Sequence, residues 1–291
     1  MKPKAFRYHR PADKADALRM LAEEDEDARP LAGGQSLVPL MNLRFAAPSA
    51  LIDLNGCADL ATITVADGVL ELGAMVRQRD AELSPVVIEA CPLVAEALAL
   101  NGHPATRHRG TVGGTIAHAD PVAELSGVAV ALDAEVVIER QGGRRTVPAA
   151  DFFLDALTTV VEPGEMVTAV RFPVLAPGTA TAFVETGMRG HGLAVAGIAA
   201  ALRIAGGRID WVRLAAIGVS PVPVRLAALE DALAGRSLGE VESAVASVAD
   251  PLGDADLLDN LEGSSAYRRE LVPTLVARAV RVAADKMGVA A

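Results

Sequence analysis

Two glycine-rich loops hold the residues of this sequence whose types and spacing could bind a ligand. The first is GGQS, from Gly33 to Ser36, between a predicted short strand and a predicted short helix. Because glycine has no side chain, a ligand can approach the main chain there, and consecutive N–H groups can converge on an anion. A pyrophosphate would fit that concavity, and a plain tight turn is an equally good interpretation of this loop taken alone.

The first loop does not match the familiar motifs for phosphate binding or nucleophilic catalysis. It lacks the GxGxxG pattern of a Rossmann fold, and no lysine follows the glycines as a P-loop requires. Ser36 is a poor hydrolase nucleophile, because the GxSxG elbow needs a glycine where Val38 stands. The residues therefore favour a nucleotide site of another kind.

The second loop is RGTVGGT, from Arg109 to Thr115, and it continues into IAHADPVAE. Its Thr111 and Thr115 could donate hydroxyl hydrogen bonds, while Asp120 or Glu124 could accept hydrogen bonds from ribose hydroxyls. Two phosphate-type loops, one in each of two small α/β units, suggest a dinucleotide clamped between subdomains. The chemistry predicted from these residues is the binding of a nucleotide cofactor.

The elements around the loops divide the chain into three predicted parts. Asp13 begins a capped helix. The segment after it is typical of a strand at 29–32, the GGQS loop, a helix at 37–43 and a second strand at 51–54. Gly68 lies between two alternating apolar runs and can take a positive φ, which predicts a hairpin. We therefore expect a first subdomain at residues 1–55 and a second at residues 56–175.

The third predicted part covers residues 176–291, beyond a linker of two prolines and a glycine. The run GLAVAGIAAALRI is ambiguous, since its alanines favour a helix, but the Gly206-Gly207 pair and the β-rich run after it favour a strand hairpin. The C-terminal apolar spacing switches to the helical period. We expect helices at 226–233, 241–248 and 265–286.

Composition and charge exclude several classes of protein. The chain has 291 residues, 51% of them hydrophobic, with a net charge of -10 and no basic run suited to a nucleic acid. No apolar stretch reaches the roughly 20 residues of a membrane helix, and the N-terminus does not resemble a secretory signal. We expect a soluble, cytoplasmic protein whose ligands are small molecules and protein partners.

The ligating side chains predict no metal on this chain. Cys57 and Cys91 cannot supply four thiolates to an iron–sulfur cluster. The histidines form no HExxH or HxH pattern, and loop histidines near a phosphate more often donate hydrogen bonds or face water. No set of residues typical of nucleophilic or acid–base catalysis stands out, so we expect neither a metal site nor a catalytic residue here.

The segments AGGQSLVPLMNLR and RGTVGGTIAHADPVAEL closely resemble the two FAD-binding signatures of the flavoprotein subunit of molybdenum hydroxylases, the medium-subunit family of xanthine dehydrogenase and carbon monoxide dehydrogenase. The resemblance covers nearly the whole chain, from KPKAFRYHRP to SAYRRELVPTLVARAV. It implies an α+β protein with a vanillyl-alcohol-oxidase (PCMH) type FAD-binding fold of two α/β subdomains and a C-terminal α/β domain like that of the carbon monoxide dehydrogenase flavoprotein.

The resemblance also implies which residues bind FAD. Main-chain amides of the first loop would bind the pyrophosphate, an acid would lie near the ribose, and an aliphatic residue would lie near the flavin ring. The implied cofactor-binding residues are Ala32, Gly33, Gly34, Gln35, Ser36, Leu37, Thr111, Gly114, Thr115, Asp120, Glu124 and Val161. The chain departs from the family at Gly192, where many relatives carry an Asp, and at Thr106, where relatives usually carry an aliphatic residue.

By this resemblance the chain is an oxidoreductase subunit in a heterotrimer or a dimer of heterotrimers. A large partner would carry molybdopterin and a small partner would carry two [2Fe-2S] clusters, with electrons passing through FAD to an external acceptor. Two alternatives remain open at this point: a free-standing FAD-dependent oxidoreductase of the same fold, and a nucleotide-binding protein without redox chemistry.

Overall fold

The computed structural model describes residues 2–187 and 193–288. Its first unit is a three-stranded parallel sheet in the order β1-β3-β2. The unit contains β1 (Arg7–His9), α1 (Lys14–Glu23), β2 (Arg29–Leu31), α2 (Leu37–Leu43) and β3 (Ala50–Asp53), followed by two 3-10 turns at Leu54–Gly56 and Ala58–Leu60. The predicted strand-loop-helix-strand segment is confirmed.

The two faces of this sheet are covered unequally. The register puts Ala50 and Ile52 on the face that packs against α1, whose buried Ala17, Leu18 and Leu21 recur at helical spacing. Side chains along a strand alternate between the two faces of the sheet, so Tyr8 and Leu31 lie on the face opposite α1, which we call the outer face. Right-handed crossovers that run in opposite directions across a sheet place their helices on opposite faces, so α2 lies on the outer face.

The second unit is a five-stranded antiparallel sheet in the order β4-β5-β10-β6-β7 with a cluster of short helices. Its elements are β4 (Ile63–Ala66), β5 (Val69–Gly73), α3 (Gln78–Leu83), α4 (Pro85–Ala90), α5 (Pro92–Leu100), α6 (Pro104–Arg107), α7 (Val112–His118), α8 (Glu124–Ala131), β6 (Glu135–Arg140), β7 (Gly143–Pro148), α9 (Ala149–Phe152), β8 (Phe153–Asp155), β9 (Thr158–Thr159) and β10 (Met166–Pro173). The predicted hairpin is confirmed, with Gly68 at φ 76°.

The third unit is a four-stranded antiparallel sheet in the order β11-β12-β13-β14, covered by helices on one side. Its elements are β11 (Ala180–Gly187), β12 (Ala194–Ala205), β13 (Arg208–Ile217), β14 (Val224–Arg225), α10 (Ala227–Leu233), a 3-10 turn at Leu238–Glu240, α11 (Val241–Ala246) and α12 (Ser265–Lys286). The alanine-rich run is therefore a strand. Its small side chains suit a strand that is paired on both edges and packed on both faces.

Helix α8 joins the second unit to the third, and all eight of its residues are buried. It packs on β12 and β13, where a methyl group at Gly127 would stand 2.6 Å from Ile217 Cγ2. The main core therefore continues from the second sheet onto one face of the third. No helix in the described part of the chain is long and apolar enough to cross a membrane.

Candidate functional site: a cleft between two glycine-rich loops

A cleft of about 860 Å³ lies where the first and second units meet. Both glycine-rich loops line it, together with the segment 157–167 and residues Leu193 and Ala194 at the start of β12. All twelve residues that sequence analysis nominated for cofactor binding line this one cleft. The structure thus brings together residues that lie up to 129 positions apart in the sequence, Ala32 and Val161.

The first loop presents unpaired main-chain donors. Gly34 adopts φ 72°, a left-handed conformation that glycine takes at little cost, and this turns the chain from β2 into α2. The amide N–H groups of residues 33–37 donate to no acceptor within the described part of the chain. Five consecutive donors beside a cleft are what an anionic group such as a pyrophosphate requires.

The second loop is different, because the protein itself uses its amides. Val112 N–H donates to Val76 O and Gly113 N–H to Ala74 O, each at 2.9 Å. Thr111 caps α7, with its Oγ1 accepting from the Gly114 N–H at 3.0 Å, and the Thr115 N–H donates to Thr111 O at 3.1 Å. Thr115 Oγ1 donates to Thr111 O at 3.2 Å, so the loop offers a ligand the Thr111 hydroxyl, which donates to no described residue, and close backbone contact.

The two loops are in direct backbone contact. A methyl group at Gly33 would overlap the carbonyl oxygen of Arg109 and stand 2.9 Å from Gly110 Cα. Across the same junction, a methyl group at Gly114 would stand 3.5 Å from Ala32 Cβ. Glycine is needed here for close approach, and the approach fixes the distance between the two walls of the cleft.

A chain of side-chain hydrogen bonds holds the loops at that distance. Asn55 Nδ2 donates to Ala32 O at 3.0 Å, and Arg77 Nη2 donates to Asn55 Oδ1 at 2.6 Å. Arg77 Nη1 then donates to Arg109 O at 2.5 Å. We call Asn55 and Arg77 the inter-loop bridge. Sequence analysis did not nominate either residue for the site, because their role depends on a contact between distant segments that no local pattern records.

Gln78 is a second residue that sequence analysis missed. It is 3% exposed, and its Nε2 donates to Thr115 Oγ1 at 2.6 Å. Gly110 is needed beside it, since a methyl group there would stand 2.8 Å from Gln78 Cδ. Because Thr115 Oγ1 itself donates to Thr111 O at 3.2 Å, the Gln78 amide supplies the hydrogen bond that this oxygen accepts and fixes the hydroxyl within the loop.

The acidic end of the cleft is formed by Glu124 and Asp120. Glu124 is 9% exposed and accepts from Asn101 Nδ2 at 2.9 Å. Burial, reinforced by the charges of Glu185 and Asp120, raises the pKa of Glu124 to about 8. Glu124 therefore keeps its proton at neutral pH. Asp120 Oδ1 instead accepts from the Val122 N–H at 3.0 Å and shapes the turn into α8.

The segment that carries Val161 is held by an ion pair. Arg145 on β7 makes a bidentate pair with Glu165, with Nε–Oε1 at 2.9 Å and Nη2–Oε2 at 2.6 Å, and it also donates to Val160 O. The Glu162 N–H closes the turn by donating to Glu165 Oε2 at 2.9 Å. The arginine holds the pKa of Glu165 below its usual value. This clasp positions Val161 at the cleft.

Of the two positions where the sequence departs from the family pattern, Thr106 and Gly192, the structure describes only the first. Thr106 is half-buried and lines the cleft, so a polar side chain does face the proposed cofactor site. Gly192 lies outside the described residues.

Fold and cleft together define a protein that holds a dinucleotide between two small units. Comparisons with known proteins identify the family of dinucleotide-binding proteins to which it belongs. The chain matches the family described as "FAD binding domain in molybdopterin dehydrogenase" over residues 4–175. It matches "CO dehydrogenase flavoprotein C-terminal domain" over residues 181–283. The chain therefore belongs to the family of FAD-binding medium subunits of molybdopterin dehydrogenases. Its cofactor is FAD, and it is an oxidoreductase subunit.

Individual relatives match along nearly their whole length. The carbon monoxide dehydrogenase medium chain of Hydrogenophaga pseudoflava is 35% identical, covering 97% of this chain and 98% of that protein. The caffeine dehydrogenase subunit beta of Pseudomonas sp. (strain CBB1) is 33% identical, covering 99% and 97%. Among solved structures, quinoline 2-oxidoreductase from Pseudomonas putida 86 superposes with a TM-score of 0.91 at 32% identity, covering 99% of each chain.

Proposed function

We propose that this chain is the electron-transfer subunit of a multi-subunit molybdenum hydroxylase. Electrons would arrive from [2Fe-2S] clusters on a small partner subunit, pass through FAD and leave to an external acceptor, while a large partner subunit holds molybdopterin and oxidises the substrate. The observation that carries the proposal is the cleft wall of five amides that donate to no other described residue, in a chain whose relatives are named medium chains and subunits of dehydrogenases.

In this proposal the two ends of the cleft hold different parts of the cofactor. The loop from Ala32 to Leu37 holds the pyrophosphate, and the second loop supports it. Asp120 and Glu124 face the ribose, and a protonated Glu124 offers both a donor and an acceptor. Val161 lies against the flavin ring. The cofactor-binding set is Ala32, Gly33, Gly34, Gln35, Ser36, Leu37, Thr111, Gly114, Thr115, Asp120, Glu124 and Val161.

In this scheme the chain's own residues bind the cofactor and hold it in a fixed orientation. FAD, when bound, supplies a redox group that exchanges electrons singly or in pairs. The loop amides neutralise the charge of the pyrophosphate, the inter-loop bridge keeps the walls at a fixed separation, and the Arg145–Glu165 clasp fixes the wall that carries Val161. None of these roles requires a general base or a nucleophile.

Rapid mixing tests the direction of electron flow. The flavin-loaded chain is mixed anaerobically with a dithionite-reduced candidate iron–sulfur partner subunit, and absorbance at about 450 nm is followed. We expect the flavin band to bleach as the iron–sulfur band recovers. A flavin that stays oxidised there, yet is reduced by a small organic substrate added to the isolated chain, would instead identify a free-standing flavin enzyme.

A further inference from the structure

The outer face of the first sheet carries an apolar surface. Within residues 2–187 and 193–288, five large apolar side chains are exposed on or beside α2 and β1: Phe6, Tyr8, Val38, Leu43 and Phe45. We call these five residues the α2 face. Parallel sheets in soluble proteins are usually covered on both sides, yet α2 buries only Met41 among its seven residues.

Two contacts connect the parts of the α2 face. Leu31 on the outer face and Val38 on α2 approach each other at Gly34, where a methyl group would stand 3.2 Å from Val38 Cγ2 and 3.5 Å from Leu31 Cδ1. Arg44 Nε donates to Lys2 O at 3.4 Å, which ties the end of α2 to the segment that leads into β1. The exposed residues before β1 and after α2 are therefore neighbours.

Aromatic side chains are concentrated on this face. The chain contains only six Phe, two Tyr and one Trp, and three of these nine lie on the α2 face. Phe45 is 81% exposed, whereas the four phenylalanines beyond residue 45 are all buried. Exposed aromatic residues grouped in this way are characteristic of the centre of a protein–protein interface.

The rim of the face is basic in an otherwise acidic protein. Lys2 and Lys4 lie in the segment that leads into β1 and Arg44 directly follows α2, and none of the three forms an ion pair with another described residue. Lys2 and Lys4 are two of only four lysines in a chain of net charge -10. Complementary charge steers association, so this rim favours a partner surface edged with carboxylates.

The face also lies next to the cofactor cleft. Leu37 and Leu40 of α2 line the cleft, while Val38 and Leu43 of the same helix belong to the α2 face. A protein docked on the face is separated from the cleft by the width of one helix, about 10 Å. Of the partners in the proposed assembly, the iron–sulfur subunit is the one that exchanges electrons with the cofactor. A docking position beside the cleft shortens the distance of that exchange.

We propose that the α2 face is the docking surface for the iron–sulfur subunit, which meets it with an apolar patch rimmed by acidic side chains. This inference rests on the proposed function, since it takes its occupant from that assembly. The aromatic centre supplies the buried contact area, and the basic rim supplies orientation and association rate.

The test replaces one exposed aromatic residue in the complete complex. The chain carrying Phe45→Asp is co-expressed with its candidate partner subunits and purified through a tag on this chain. Because Phe45 is exposed, we expect the wild-type Tm and FAD content, with the iron-to-FAD ratio falling at least tenfold. Leu261→Asp is the matched control, since Leu261 is 100% exposed and lies far along the chain in the third unit. It should keep the wild-type ratio.

A second variant tests the basic rim. Lys4→Glu should slow association of the purified subunits at low salt and weaken the salt dependence of the rate, with FAD content unchanged. The docking surface is wrong if Phe45→Asp retains the iron of the wild type, or if the substitution instead converts a dimer of this chain into monomers while iron remains bound. A wild-type chain that purifies with FAD and no iron would contradict the proposed function itself.

Discussion

Replacing Gly33 with alanine perturbs the contact that sets the width of the cofactor cleft. The added methyl group would stand 2.8 Å from the carbonyl carbon of Arg109, whereas ordinary contacts begin at 3.4 Å. The Arg109 carbonyl is held by Arg77 at 2.5 Å and cannot easily turn away. Clearing the carbonyl carbon alone requires the two loops to separate by about 0.6 Å, the difference between 3.4 and 2.8 Å, and the carbonyl oxygen, which the methyl group would overlap, requires more.

The size of the effect follows from the bonds that this movement weakens. Overpacking of a tight contact costs about 1–3 kcal/mol of folding free energy. A hydrogen bond to a charged group contributes about 1.5–3 kcal/mol, so losing two amide–phosphate bonds costs about 3–6 kcal/mol of binding free energy. The dissociation constant for FAD should then rise by a factor of about a hundred to ten thousand.

The assay is a titration of the flavin-free chain with FAD, followed by quenching of flavin fluorescence, with Tm recorded beside it. Gly239→Ala is the matched control, because a methyl group there meets no heavy atom within 4 Å. The control should bind FAD as the wild type does. If Gly33→Ala binds FAD within about threefold of the wild type, a shift of under 1 kcal/mol, the close loop contact does not set the cleft.

Three further substitutions test other parts of the site. Thr111→Val removes the cap that accepts the Gly114 N–H and should cost about 1 kcal/mol in urea unfolding, whereas Thr111→Ser should keep that stability. Glu124 has a pKa raised from 4.5 to about 8 by burial, so the native state holds a proton that the unfolded chain releases. The wild type should therefore lose stability as pH rises from 4.5 to 8, and Glu124→Gln should remove that slope; an unchanged slope would assign it elsewhere. Arg145→Met releases Glu165 and should shift the flavin absorption maximum and weaken FAD binding, while an unchanged spectrum would show that the clasp does not shape the ring environment.

Sequence patterns predicted most of the elements because each has a local cause. The bounds of α2 match residue for residue, since the chain before it turns at Gly34 and the helix ends at Arg44 with φ 64°. The hairpin at Gly68 and the long C-terminal helix were predicted from turn chemistry and helical spacing. Strand β12 needed tertiary context, because its alanines suit either state and pairing with β11 and β13 decides between them.

The site was predicted only as far as its loops. Glycine-rich sequence marked both walls of the cleft, but it did not show that the first loop leaves its amides free while the second uses its own. Nor could it find Asn55, Arg77 and Gln78, whose hydrogen bonds join segments more than 20 residues apart. Such residues carry no local signature because their partners are set by the packing of the units.

The visible spectrum of the purified chain, expressed alone and with its partner subunits, tests the central claim most directly. We predict flavin bands at about 375 and 450 nm that disappear when dithionite is added, with added FAD raising the Tm of any flavin-free protein. Colourless preparations of both kinds, with no binding of added FAD and no change in Tm, would contradict the assignment of the cleft as an FAD site.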